Sequence, residues 1–296
     1  MSIRNCLGLF SVLLSCTFGL AACHSNSRPQ QSGSSSPAPT SRSVGVALRQ
    51  VDHLSTTHEY VKLNYPVVTG TAGTRLNPVI QKWIGARCPV PSEKPRVYNN
   101  AATCAAAFEK ACKDLKKLYK NNEKTFGCTL DANSQIRLDA AGLLGVIYTT
   151  YAYTGGAHGN TVVSYLNLDI DSGKILQLND LLARPDANKL SDEIEAAIRA
   201  NRNIPASKSL KDAGFFVDKL PPADSVLALP DGLLFTYQSY EVGPYVLGQP
   251  HGVVPYAALN SMLTDNGPLV ALIALGKRLA QDNPRNKNPG NSQATP

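Results

Sequence analysis

An apolar run from Leu7 to Leu20 ends in Ala21-Ala22-Cys23, and that junction decides which part of the chain can fold. Arg4 supplies a positive charge just ahead of the run. At about fourteen residues the run has the length of a signal-peptide core and is too short to span a bilayer comfortably. Leu20-Ala21-Ala22-Cys23 matches the bacterial lipobox, whose cysteine is diacylated and becomes the mature N-terminus. Residues 1–22 are therefore expected to be a lipoprotein signal peptide and Cys23 the lipidation site. Two or three acyl chains, palmitate among them, give stable anchoring to a membrane where a single chain does not.

His24 follows the cysteine instead of Asp. In Gram-negative lipoprotein sorting that choice favours the outer membrane, facing the periplasm. Residues 23–43 are rich in Ser, Pro, Gln and Gly and poor in apolar side chains. Such a segment cannot bury enough surface to fold and reads as a flexible tether. About twenty residues of that kind reach some 25 Å. Residues 282–296 read the same way, as a disordered tail. Roughly 235 residues remain to fold, enough for one large domain or two small ones.

Export also bears on the seven cysteines. Cys6 and Cys16 leave with the signal and Cys23 is lipidated, so Cys88, Cys104, Cys112 and Cys128 remain. An even number in an oxidising compartment implies two disulfides. None of the four has the C-x-x-C spacing of a zinc or redox site, so no metal is expected. Cys104 and Cys112 fall eight residues apart on one predicted helix, about 12 Å along its axis, too far to bond each other. Of the two connectivities left, Cys88–Cys104 with Cys112–Cys128 is favoured because each closes a short loop. Cys88–Cys112 with Cys104–Cys128 stays open.

The formal charge of +7 loses one unit with Arg4, leaving a mildly basic chain of about +6. Lys113, Lys116, Lys117, Lys120 and Lys124 crowd one helix and its exit. They read as a solvated helix face, or as a surface that meets anionic lipid or an acidic partner. No recognition motif points to nucleic acid, and none is expected as a partner of an exported chain.

The periodicities are mixed. Glu59 to Val68 alternates, with Val61, Leu63, Tyr65 and Val67 on one face, and predicts a strand. Asn77 is read as the start of a short helix carrying Val79, Ile80, Trp83 and Ile84. Thr103 is read as the N-cap of a longer helix to about Lys120, with Phe108, Cys112, Leu115 and Tyr119 as its stripe. Strands follow near Cys128–Leu138, Leu143–Thr154 and Thr161–Ile170, then a turn at Asp171-Ser172-Gly173-Lys174 from which Ile175 to Leu178 returns. Asp186 to Ala200 spaces Leu190, Ile194, Ala197 and Ile198 as a helix. Pro230-Asp231-Gly232 turns a hairpin between Val226–Leu229 and Leu233–Gln238. Helices are expected near Tyr256–Leu263 and Pro268–Ala280. Consecutive hairpins with helices set aside imply an α+β fold.

Two blocks stand out. The first runs Tyr151-Ala152-Tyr153-Thr154-Gly155-Gly156-Ala157-His158-Gly159-Asn160 and continues through Asn167-Leu168-Asp169, Gly173-Lys174 and Leu178-Asn179-Asp180-Leu181. The second is Tyr240-Glu241-Val242-Gly243-Pro244-Tyr245-Val246-Leu247-Gly248, followed by Val254-Pro255-Tyr256. In this order the blocks resemble those of the RsiV-like family of extracytoplasmic domains, over roughly Tyr60 to Leu263. The resemblance implies two small α+β subdomains, the first with helices packed on one face of an antiparallel sheet. The subdomains are placed at 44–155, where the four cysteines of the two disulfides look like a local addition to the family pattern, and at 156–281. One member of that family is the lysozyme-binding ectodomain of an anti-sigma factor; others are attached to peptidoglycan deacetylases or stand alone as lipoproteins. The present sequence carries no stretch read as a transmembrane helix, so the anti-sigma part of that role is not expected.

The residue chemistry of the blocks allows more than one use. Gly155, Gly156 and Gly159 permit positive φ and close approach of another backbone. His158 among them can cap buried backbone groups, contact a ligand or partner, or act as an acid–base group. Glu241 could lock onto His158 across the two blocks or serve as a base. Tyr151, Tyr153, Asn160, Tyr240 and Tyr245 complete the candidate binding set, since tyrosine suits both core and recognition surface. His53 and His58 would face opposite sides of a strand and make a poor metal pair. Asp169-x-Asp171-x-Gly173 departs from a calcium loop at Gly173, Lys174 and Asp180. No G-x-S-x-G, H-E-x-x-H or phosphate loop occurs. No cofactor is expected. Two function classes follow. One is a cell-envelope binding protein engaging a lysozyme-like hydrolase or a wall component such as peptidoglycan. The other is an envelope hydrolase acting through His158 and Glu241.

Overall fold

A computed structural model of the chain describes residues 42–55, 59–91, 96–118 and 127–282. The signal segment, Cys23, most of the tether and the tail lie outside the described residues, as do His58, Tyr119, Lys120 and Lys124.

The first half builds a five-stranded sheet in the order β1 (Val46–Ser55), β2 (Glu59–Val68), β3 (Cys128–Ala140), β4 (Leu143–Tyr153) and β5 (Asn160–Asp169). Every neighbouring pair is antiparallel except β2 and β3, which run parallel from Glu59↔Cys128 to Leu63↔Ala132. The expectation of antiparallel sheets is thus met with one exception. Its cause is the connection: β2 reaches β3 through two helices, α1 (Ala72–Gly85) and α2 (Ala101–Leu118), and a crossover of that length permits parallel pairing. Both helices share one core with the even-numbered positions of β4 and β5. Leu144, Val146 and Tyr148 and Leu166 and Leu168 pack there with Leu76, Ile80 and Trp83 of α1 and Phe108 of α2. The disulfides close this layer as favoured from loop length: Cys88–Cys104 and Cys112–Cys128, with Cα–Cα distances of 5.6 and 5.8 Å.

The second half adds α3 (Leu178–Leu181), α4 (Ala187–Arg202), a three-stranded antiparallel sheet of β6 (Val226–Leu229), β7 (Gly232–Thr236) and β8 (His251–Pro255), and α5 (Val270–Asp282). Leu190, Ile194 and Ile198 of α4 meet Phe235, Val254 and Leu272 in a second core. The small sheet also lies against the odd-numbered face of the large one, where Ile147 and Tyr165 pack on Leu227, Leu229 and Leu234. Among the described residues, two sheets and five helices make the fold α+β, as the pattern predicts. The position between 155 and 156 falls in the β4–β5 loop, so the first sheet continues past it to Asp169.

Several local readings change. Helix α1 begins at Ala72, and Asn77 sits inside it. The Asn77 amide reaches back to β2, accepting from Val68 N–H at 2.8 Å and donating to Val68 O at 3.0 Å. That tie lets the helix run through Pro78, which by propensity alone looks like a first turn. The cap of α2 is Asn100, whose side chain accepts from Thr103 N–H at 2.8 Å while Thr103 Oγ1 accepts from Asn100 N–H at 3.2 Å. In β2 the buried side changes after Leu63: Tyr65 and Val67 are half-buried while Pro66 and Val68 are buried. The change falls where pairing with β3 stops. Residues 256–263 form turns and a three-ten helix at Asn260–Met262 instead of an α-helix. Strands β1 and β8 were not anticipated. Along β1 most side chains are exposed, and it is an edge strand, so its apolar periodicity is weak.

Candidate functional site

The two sequence blocks meet at one end of the large sheet. The first is the β4–β5 loop. Gly155 and Gly156 take φ of 95° and 98°, a region open to glycine without strain. Gly159 is required for a different reason: a Cβ there would lie 2.4 Å from the Tyr151 ring. Tyr153 closes the loop by donating its hydroxyl to Gly156 O at 3.0 Å. The second block leaves β7 through a tight turn in which Glu241 N–H donates to Gln238 O at 3.1 Å. The turn forces Tyr240 to φ 70°, a conformation that costs a non-glycine residue on the order of 1–3 kcal/mol and persists only when its surroundings impose it.

His158 joins the blocks. Its Nδ1 lies 2.9 Å from Gly159 O. A carbonyl only accepts, so Nδ1 carries the hydrogen and Nε2 is left as an acceptor. The Tyr240 hydroxyl lies 3.3 Å from Nε2 and donates to it. The imidazole stacks on the Tyr245 ring at 4.4 Å between centroids, and Tyr245 donates its hydroxyl to Gly159 O at 3.3 Å. Tyr240 and Tyr245 lie 5.8 Å apart, so three rings form one platform. Beside it, the three-ten helix Tyr245–Leu247 lifts Val246 into solvent at 91% exposure, with Tyr240 at 53% and Tyr245 at 37%.

Two of the candidates fall elsewhere. Glu241 does not lock onto His158: its Oε2 accepts Gln238 N–H at 2.7 Å, folded back within its own turn. Asn160 points from the other face of β5 and lines a separate cavity. Two glutamines without a signal in the sequence blocks add to the ties that His158, Tyr240 and Tyr245 make. Gln238 bonds Val163 of β5 twice, accepting from its N–H at 3.1 Å and donating to its carbonyl at 2.9 Å. Gln249 donates to Thr161 O at 3.1 Å. These amides cover the free edge of β5 as a neighbouring strand would. A glutamine beside a predicted strand end is the only sequence signal for them, and it is a weak one.

The polar residues of the first block's continuation are engaged in structure. Asn167, buried, donates to Val226 O at 2.9 Å and accepts from Ala228 N–H at 2.8 Å, pinning the small sheet to the large one. Asp169 accepts from the backbone N–H of Asp171 and Ser172, at 3.0 and 2.8 Å, shaping the turn. Asp180 caps α3 through Gln177 N–H at 2.9 Å and pairs with Lys174. The Gln177 N–H first, and Lys174 second, hold the Asp180 carboxyl below its usual range. The basic helix face is partly neutralised, with Lys113, Lys116 and Lys117 paired to Glu109, Glu59 and Asp114. His53 pairs with Glu109 at 2.9 Å. Among the described residues no group of three or more His, Cys, Asp or Glu side chains is placed to hold a metal.

Residues 54–161 match the family described as Deacetylase PdaC, and residues 179–257 match the protein family of unknown function DUF3298. A solved DUF3298 family member from Bacteroides fragilis is similar at TM-score 0.63 and 22% identity, covering 79% of this chain and 99% of that one. A DUF3298 family protein from Pseudomonas aeruginosa is similar at TM-score 0.56 and 16% identity, covering 75% of this chain and 95% of that one. At these identities the likeness is one of fold. No curated protein matches the chain. The chain thus carries a PdaC-like segment, which the β4–β5 loop closes, and a DUF3298-like segment, in which the second block lies.

Proposed function

We propose that this chain is a lipid-anchored binding protein of the cell envelope, which recognises a protein of the lysozyme-like class through the Tyr240–Tyr245–Val246 surface. The observation that carries the reading is that platform. It sets an aliphatic side chain and two tyrosines in solvent, on loops cross-tied by His158 and the glutamine pair. Exposed apolar area rimmed by polar groups marks interaction sites, and tyrosine anchors dominate many of them. A PdaC-type and a DUF3298-type segment together suit a cell-wall-related role. Two paired disulfides suit the oxidising compartment to which the lipobox would send the chain. The finer likeness to lysozyme-binding RsiV-like domains rests on the sequence blocks. Glu241's engagement with Gln238 leaves His158 without the carboxylate that the hydrolase alternative requires.

The test is direct binding of the purified full-length chain to immobilised lysozyme and, separately, to isolated peptidoglycan sacculi. Saturable binding to lysozyme supports the reading. Binding to sacculi alone moves the surface to a wall ligand, and binding to neither rejects it.

A further inference from the structure

The opposite face of the β4–β5 hairpin holds a second feature that the tyrosine platform does not use. Near the end of α1, Trp83 lies 5.8 Å from Tyr148, and the chain leaves the helix through Ala86, Arg87 and Cys88. Beyond them on that side of the sheet Thr150 is still buried, while Ala152, Thr154 and Ser164 are half-buried and Asn160 and Val162 are exposed. Thr150, Thr154, Asn160 and Ser164 line a cavity of ≈ 460 Å³, with Arg87 and Cys88 as its wall. That volume lies within the span of small-molecule sites, about 300–1,000 Å³.

Arg87 is the unusual group. Its guanidinium carbon sits 4.0 Å above the Trp83 ring, and Nη1 donates to Trp83 O at 2.9 Å. Burial pulls its pKa down to about 10, so it is still a cation at neutral pH. Among the described residues no carboxylate pairs with it. A partly buried charge is stabilised by a counter-ion. With one Nη1 hydrogen given to Trp83 O, the N–H groups that remain on a guanidinium held flat by a ring below are free for a carboxylate. The side-chain polar groups of Thr154, Asn160 and Ser164 bond no other described residue and line the same cavity as the cation. The wall is rigid, since Cys88 is bonded to Cys104 of α2.

The geometry points to a binding site for a small hydroxylated carboxylate, of the class of an acidic sugar, with Arg87 taking the carboxylate and Thr154, Asn160 and Ser164 the hydroxyls. This site is independent of the partner surface proposed above.

Trp83 is the single tryptophan of the chain and lies beneath the guanidinium, so its emission reports the site. Titrating the full-length chain with glucuronate should change that emission saturably, with half-saturation below about 10 mM. Glucose and inorganic phosphate, each supplying half of the chemistry, should bind at least about tenfold more weakly. Arg87→Gln should abolish the glucuronate response, and Ser164→Ala and Asn160→Ala should each weaken it about threefold or more with the Trp83 environment intact. If Arg87→Gln does not fold, the latter two variants decide. No saturable response in the wild type, unchanged affinity in the Ser164 and Asn160 variants, or phosphate binding as tight as glucuronate overturns the assignment.

Discussion

Asn167 and His158 stand in the same sequence block and do opposite work. Asn167 is 3% exposed and satisfies two backbone groups of the facing strand. Asn167→Ala strands both, and a buried unsatisfied group costs about 1–3 kcal/mol. The expected loss is roughly 2–4 kcal/mol in a denaturant unfolding experiment. His158 is exposed and held by one hydrogen bond to a carbonyl and one to a hydroxyl. His158→Ala should cost less than about 1 kcal/mol of stability yet weaken partner binding, because it frees Tyr240 and Tyr245 to move. Sequence spacing singles out both residues but cannot separate these roles. A polar side chain that satisfies a distant backbone and one that waits for a ligand have the same local signature. Glu241 shows the same limit. Its charge and position invite a pairing with His158, and a turn only four residues long claims it first.

At the scale of elements, the strands Cys128–Ala140, Leu143–Tyr153 and Asn160–Asp169 and the helix Ala187–Arg202 were legible to within a few residues. In those segments apolar period and burial agree. The start of α1 was not, because a side-chain tie from Asn77 to β2 is tertiary information. Strand β1 was not, because an exposed edge needs no apolar alternation. The disulfide pairing was favoured on loop length. Each bridge spans a sequence separation of 16, a loop for which closure entropy gives about 3 kcal/mol. Non-reducing peptide mapping should recover Cys88 with Cys104 and Cys112 with Cys128. Peptides joining Cys88 to Cys112 would contradict the fold. The α3 cap offers a pH test. The Asp180 carboxyl is held below its ordinary value, so its contribution is complete above the unfolded pKa of about 3.9 and is lost as pH falls through the lower folded value. Asp180→Asn should therefore lower stability near neutral pH, and the gap to wild type should close as the pH drops below that range.

For the whole molecule, the proposed anchor at Cys23 and the tether read from the sequence would hold a folded body that carries the two loop blocks at one end of the large sheet. The anchor is tested by fractionation. Cys23→Ala should leave the membrane fraction or accumulate as unprocessed precursor, and unchanged membrane association with normal processing would refute the lipobox reading. The central claim is that the exposed platform is a binding surface and not a structural ornament. Val246 is 91% exposed, so Val246→Asp has little to disrupt within the fold and much to disrupt in a desolvated interface. The decisive measurement is the affinity of this variant for immobilised lysozyme beside its thermal unfolding midpoint, both against wild type. The expected result is a midpoint within about 2 °C of wild type and an affinity lower by at least about tenfold. Full-strength binding by a variant as stable as wild type would contradict it.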